Sequence, residues 1–105
     1  MCDYVAKKGK IPVYSRRLRE AREACGISQR NLGIKVGVDE FVASTRINRY
    51  EKGVHQPALQ IQQRLAAVLG LPLAYFYAED EELARLIADF QPKAKTIGRR
   101  KRTGS

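Results

Sequence analysis

The chain has 105 residues, 44% of them apolar and 30% charged, and 20 Lys and Arg against 11 Asp and Glu give a net charge of +9. That fits one domain with a modest core; no apolar run approaches the ~20 residues that cross a bilayer, and Met1–Lys10 lacks the apolar stretch of a secretory signal. Two cysteines, Cys2 and Cys25, and one histidine, His55, are too few for a disulfide scaffold or a usual zinc site, so no metal, no cofactor and a reducing, cytoplasmic setting are expected.

Residues 1–13 read as a basic arm, with Lys7, Lys8 and Lys10 beside Gly9 and a break at Pro12. From Tyr14 a helical period appears, through Leu18, Ala21 and Cys25. Ser15 or a residue nearer Val13 would cap this helix, Gly26 would end it, and Cys25 on its apolar side would be a buried thiol. Ser28 can cap a short second helix with Leu32 and Val36 inward and Gly37 as its stop. Asp39 can cap a turn, and Phe41 is expected to cover Ile34. Ser44 can cap a third helix, residues 45–52, with Ile47 and Tyr50 inward and Gly53 at its end. Pro57 would begin a fourth, with Ile61, Leu65, Val68 and Leu69 as its stripe, closed by Gly70 and Pro72. Leu73 and Phe76 suit a short fifth helix. The acidic run Glu79–Glu82 opens a sixth, because anions are favoured at a helix N-terminus; its stripe is Leu83, Leu86, Ile87 and Phe90. Pro92 ends order, leaving residues 91–105 as a disordered basic tail.

No strand alternation or hairpin turn signal is present. The expected fold is all-α: a bundle of five to six short helices, each too short to stand without tertiary packing. Charge divides along the chain. Residues 1–52 carry 12 basic and 6 acidic groups, residues 53–90 carry 2 and 5, and residues 91–105 carry 6 and none. A polyanionic partner would therefore meet the first half and the tail.

Two short helices around a tight glycine-containing turn in a small basic all-α domain suggest a helix-turn-helix. The residues are specific. Leu18–Gln29, Leu32, Val36-Gly37-Val38, Ile47-Asn48-Arg49-Tyr50-Glu51-Lys52-Gly53, Pro57 and Leu65–Leu73 occur in the order seen in lambda-repressor-like, Xre-type transcriptional regulators, and the resemblance covers about residues 15–77. The sequence departs from the family at two places. Four extra residues fall within Asp39–Ser44, and Gly33 stands where Ala is common, which would permit a close helix crossing.

The resemblance implies a sequence-specific regulator of transcription, a repressor in the simplest case. It would bind double-stranded DNA as a homodimer on a palindromic operator, with the third helix in the major groove. Ser44, Thr45, Asn48 and Arg49 match groove-facing positions, and Arg46 could meet a base or a phosphate. Asn can pair with adenine and Arg with guanine through two hydrogen bonds each. Gln29, at the start of the second helix, would contact the DNA backbone and brace the third. The segment Gly53–Gln56, including His55, would reach a second phosphate. Arg22 and Glu51 would form an ion pair locking the third helix onto the first.

The rival reading is an antitoxin-like or coactivator-like protein-interaction module, which calls for a large apolar surface on the last two helices. A membrane-surface protein fits less well, since the most basic segments are not amphipathic. An enzyme is not expected: there is no phosphate loop, nucleophile elbow, paired carboxylate motif or partner for His55. No small-molecule ligand is expected either.

Overall fold

The computed structural model describes residues 11–90. The expectations for Cys2, the lysines of the arm and the tail from residue 91 lie outside the described residues. Within them the chain is all-helical. Its α-helices are α1 (Val13–Cys25), α2 (Gln29–Lys35), α3 (Ala43–Lys52), α4 (Leu59–Leu69) and α5 (Glu81–Asp89), with a 3-10 helix at Leu73–Tyr77 between the last two.

The core follows from the apolar periods. Tyr14, Leu18 and Ala21 of α1, Leu32 and Val36 at α2, Ile47 and Tyr50 of α3, Leu65, Ala66 and Leu69 of α4 and Phe76 of the 3-10 helix form one buried cluster. The ring of Tyr14 lies 5.3 Å from that of Phe76. Helix α1 packs on α3, on the 3-10 helix and on α4, while α2 packs most closely on α3. Helix α5 lies against the 3-10 helix and buries only Ala84 fully.

Several local expectations change. Helix α1 starts at Val13 with Pro12 before it, and Ser15 is buried inside the helix rather than capping it. Helix α3 starts at Ala43, after Val42, so Ser44 is an exposed residue of the first turn and makes no cap. A turn closed by the Val42 N–H on the Asp39 carbonyl at 3.0 Å delivers the chain to that earlier start. Helix α4 starts two residues after Pro57. Pro57 is buried, and its carbonyl accepts from Gln62 Nε2 at 2.9 Å, so its ring packs instead of opening the helix. Cys25 is exposed, because α1 overhangs the core after Ala21; its thiol lies 3.8 Å from the Leu69 carbonyl. Val68 is also exposed, and Ala66 takes its place on the inner side of α4. Phe41 is 89% exposed and Ile34 40%, so the ring stands in solvent and does not shelter Ile34. The inserted turn is anchored by charge instead: Arg30 Nη2 meets Glu40 Oε2 at 2.8 Å.

Ser28 caps α2 with its hydroxyl oxygen, which accepts from the Asn31 N–H at 3.0 Å. Gly33 is where α2 and α3 cross. A Cβ there would sit 2.7 Å from the Ala43 Cβ and 3.0 Å from that residue's backbone, so only glycine fits this crossing. Gly53 ends α3 in the left-handed conformation, φ 78°, and a Cβ there would strike Pro12 Cδ at 2.6 Å. The end of α3 is thereby seated against the start of α1.

Candidate nucleic-acid interface

Helix α3 sorts its side chains by period. Ala43, Ile47, Tyr50 and Glu51 turn inward. Ser44, Thr45, Arg46, Arg49 and Lys52 turn outward, and Asn48 lies at the margin, partly exposed. The outward face is thus polar and basic over its whole length.

Glu51 is the unusual member of the inner face, a carboxylate whose side chain is 3% exposed. Its Oε2 accepts from Arg22 Nε at 2.5 Å, and its Oε1 from Arg22 Nη2 at 3.3 Å. Arg22 also donates from Nη1 to the Ile27 carbonyl at 3.0 Å. This paired geometry matches the planar guanidinium to the carboxylate. Gln29 joins the same group: its Nε2 donates to Glu51 Oε1 at 3.0 Å and to Asn48 Oδ1 at 3.3 Å. One connected network therefore ties α1, the first residue of α2 and the middle of α3 together. These residues, with Ile11, Arg19 and Lys52, line a shallow depression of about 180 Å³ beside the outward face.

Charge pairing separates the arginines. Arg16 and Arg17 meet Glu81 and Glu20, Arg19 meets Glu23, Arg22 meets Glu51 and Arg30 meets Glu40. Arg46, Arg49 and Lys52 have no acidic partner among the described residues. The basic residues of α3 are left uncompensated, while the arginines of α1 and α2 are neutralised. His55 is exposed in the link between α3 and α4, just beyond the end of α3, where the Val54 N–H donates to the Arg49 carbonyl at 3.0 Å.

The structure brings Arg22, Gln29, Asn48 and Glu51 into contact and sets Ser44, Thr45, Arg46 and Arg49 along the adjoining exposed face. His55 stands apart from that network. Sequence reasoning passed over Arg17. Its side chain is 2% exposed, donating from Nε to the Ala78 carbonyl at 2.9 Å and from Nη1 to Glu81 Oε1 at 3.0 Å, with its guanidinium 5.6 Å from the centre of the Tyr75 ring. It joins α1 to the start of α5. The signal was present: Arg17 falls at i+3 in the period Tyr14, Leu18, Ala21, within the apolar stripe. Hydrogen bonds from Arg17 and Arg16 hold the Glu81 carboxyl below the usual carboxylate range.

Among the described residues no group of three or more His, Cys, Asp or Glu is placed to hold a metal ion. No helix among them is long and apolar enough to cross a membrane.

Comparison with known proteins bears on the fold. A family model described as a helix-turn-helix domain matches residues 13–75. Among solved structures, the crystal structure of transcriptional regulator BswR is similar, with a TM-score of 0.70 and 42% sequence identity over 83% of this chain and 89% of that chain. No curated protein matches.

Proposed function

The chain belongs to the helix-turn-helix domain family, and from that premise we propose that it is a DNA-binding regulator of transcription, as its similar solved structure is described to be. The observation that carries this reading is the uncompensated basic face of α3. A helix fits the major groove of B-DNA. Free cations along it neutralise phosphates and release counterions, while paired cations contribute little.

In this reading α3 enters the major groove. Ser44, Thr45, Asn48 and Arg49 meet base edges, and Arg46 meets a base or a phosphate. The Gln29 side chain is committed to Glu51 and Asn48, so it serves as the brace, and its main-chain N–H at the start of α2 is left for a phosphate. His55 reaches a neighbouring phosphate from the link after α3. Arg22 and Glu51 hold α3 at a fixed height above α1 and touch no DNA.

The chain acts as a homodimer of the Xre type on a palindromic operator, in the cytoplasm, as a binding protein and not as an enzyme. Leu83 and Leu86 of α5 and Phe90 just past its end are exposed, within a stretch of eight residues. Two antiparallel copies would set Leu83 of one opposite Phe90 of the other, with Leu86 at the centre and Arg85 near the second copy's Asp89. An isologous contact of this kind matches a twofold operator. At a site that overlaps a promoter, such occupancy excludes other proteins from the same DNA, which is the action of a repressor.

Selection of bound duplexes from a random pool at physiological salt tests the reading. Recovery of one palindromic motif is the expected result. Binding without base preference would overturn it and favour a protein-interaction module acting through the exposed face of α5.

A further inference from the structure

The direction of the Gln29–Asn48 hydrogen bond is dictated from the other end of the network. A carboxylate only accepts hydrogen bonds, and Arg22 alongside it keeps Glu51 in that role. The Gln29 group 3.0 Å from Glu51 Oε1 must therefore be the amide nitrogen. The same nitrogen lies 3.3 Å from the Asn48 amide. The Asn48 atom it meets must be the oxygen, because the reverse would set two NH2 groups against each other. Charge thus settles the orientation of both amides, which are otherwise ambiguous.

The consequence bears on what Asn48 can offer. An asparagine grips adenine by donating to N7 while accepting from the N6 amino group, and needs both amide atoms on one outward edge. In this chain the oxygen already accepts from Gln29 on α2 at 3.3 Å, while Nδ2 has no hydrogen-bond partner among the described residues. The part of the Asn48 amide left free of any protein partner is therefore Nδ2 with its hydrogens. Of the two purines, guanine carries only acceptors on its major-groove edge, N7 and O6, whereas adenine places an amino group there.

We propose that Gln29, by occupying the Asn48 oxygen, biases Asn48 towards donation and so selects guanine over adenine at the base pair it meets. This rests on the reading of α3 as the groove-binding helix. Gln29 is then a positioning residue that sets sequence choice without touching the base.

The experiment is duplex selection with the full chain and with the Asn48→Ala, Gln29→Met and Gln29→Ala variants, each checked by thermal melting. Methionine keeps the length of glutamine and removes its hydrogen bonds. Asn48→Ala should erase preference at one base pair, and the wild-type protein should take guanine there. Both Gln29 variants should free the Asn48 oxygen and shift the guanine-to-adenine ratio at that pair towards adenine by roughly tenfold, within the range of one bidentate contact. The inference is overturned if the wild type takes adenine at that pair, if Asn48→Ala erases no position, or if the Gln29 variants weaken all sequences equally. In those cases a selected motif would still stand for the regulator itself. Absence of any motif in the wild type would remove both.

Discussion

Arg22 and Glu51 illustrate what one pair of side chains decides. Glu51 is almost wholly enclosed, and Arg22 supplies two of its hydrogen bonds. Arg22→Ala would strand a buried carboxylate with Gln29 as its remaining donor, and is expected to cost about 3 kcal/mol of stability. The double variant Arg22→Ala with Glu51→Ala should cost less than the sum of the two single changes, because the stranded charge is gone. Urea unfolding of all four proteins measures this, and simple additivity would show that the two residues do not act as a pair. The same two residues orient Gln29, so the loss should also reach Asn48.

At the scale of elements, two contacts hold the helices in place. Gly33 lets α2 approach α3. Alanine at that position would favour an isolated helix by about 1 kcal/mol. Here its Cβ would overlap Ala43, where backbone as well as side chain is in the way. Gly33→Ala should therefore destabilise the domain by about 1–3 kcal/mol, the usual range for overpacking; a raised melting temperature would contradict the crossing described. The second contact is Arg17, with Arg16, on Glu81 at the start of α5. The groups around Glu81 are Arg16 and Arg17, and Glu20 shares both arginines. Because the folded chain holds the Glu81 pKa below its ordinary value, its contribution is present above the ordinary carboxylate range and is lost as pH falls through the depressed value. The wild type should exceed Glu81→Gln in stability at neutral pH, and the difference should close in acid. A difference that does not change with pH would assign the contact no electrostatic part.

For the whole molecule, the distribution of charge and of apolar surface points to two different partners. Three uncompensated cations line the outward face of α3, and α5 exposes Leu83 and Leu86. If two copies meet through α5, Leu86→Glu should yield a monomer in sedimentation while leaving the rest of the fold intact. Binding to a full palindrome should then fall steeply, with the base preference at each half-site unchanged. Half-sites would lie about 34 Å apart, one turn of the duplex. A dimer that survives Leu86→Glu would place the twofold contact elsewhere.

Much of this architecture is legible in the order of residues. The helical periods, the glycine stops and the Ser28 cap locate the helices because these signals are local and depend on backbone geometry alone. The basic polar face of α3 follows from the same period, since Ile47 and Tyr50 define its inner side. Other features depend on residues far apart in the chain. Ser44 resembles a cap, but the turn at Asp39–Val42 brings the helix in earlier. Phe41 is expected to cover Ile34, yet its ring stands in solvent. Arg17 lies within the apolar stripe of α1, but the carbonyls and the carboxylate that accept its hydrogen bonds come from more than 60 residues on, at the approach to and start of α5. The orientation of Asn48 is the furthest removed from sequence. It depends on a chain of donors and acceptors running from α1 through α3 to α2, and directional bonds between distant segments exist only once the segments are packed.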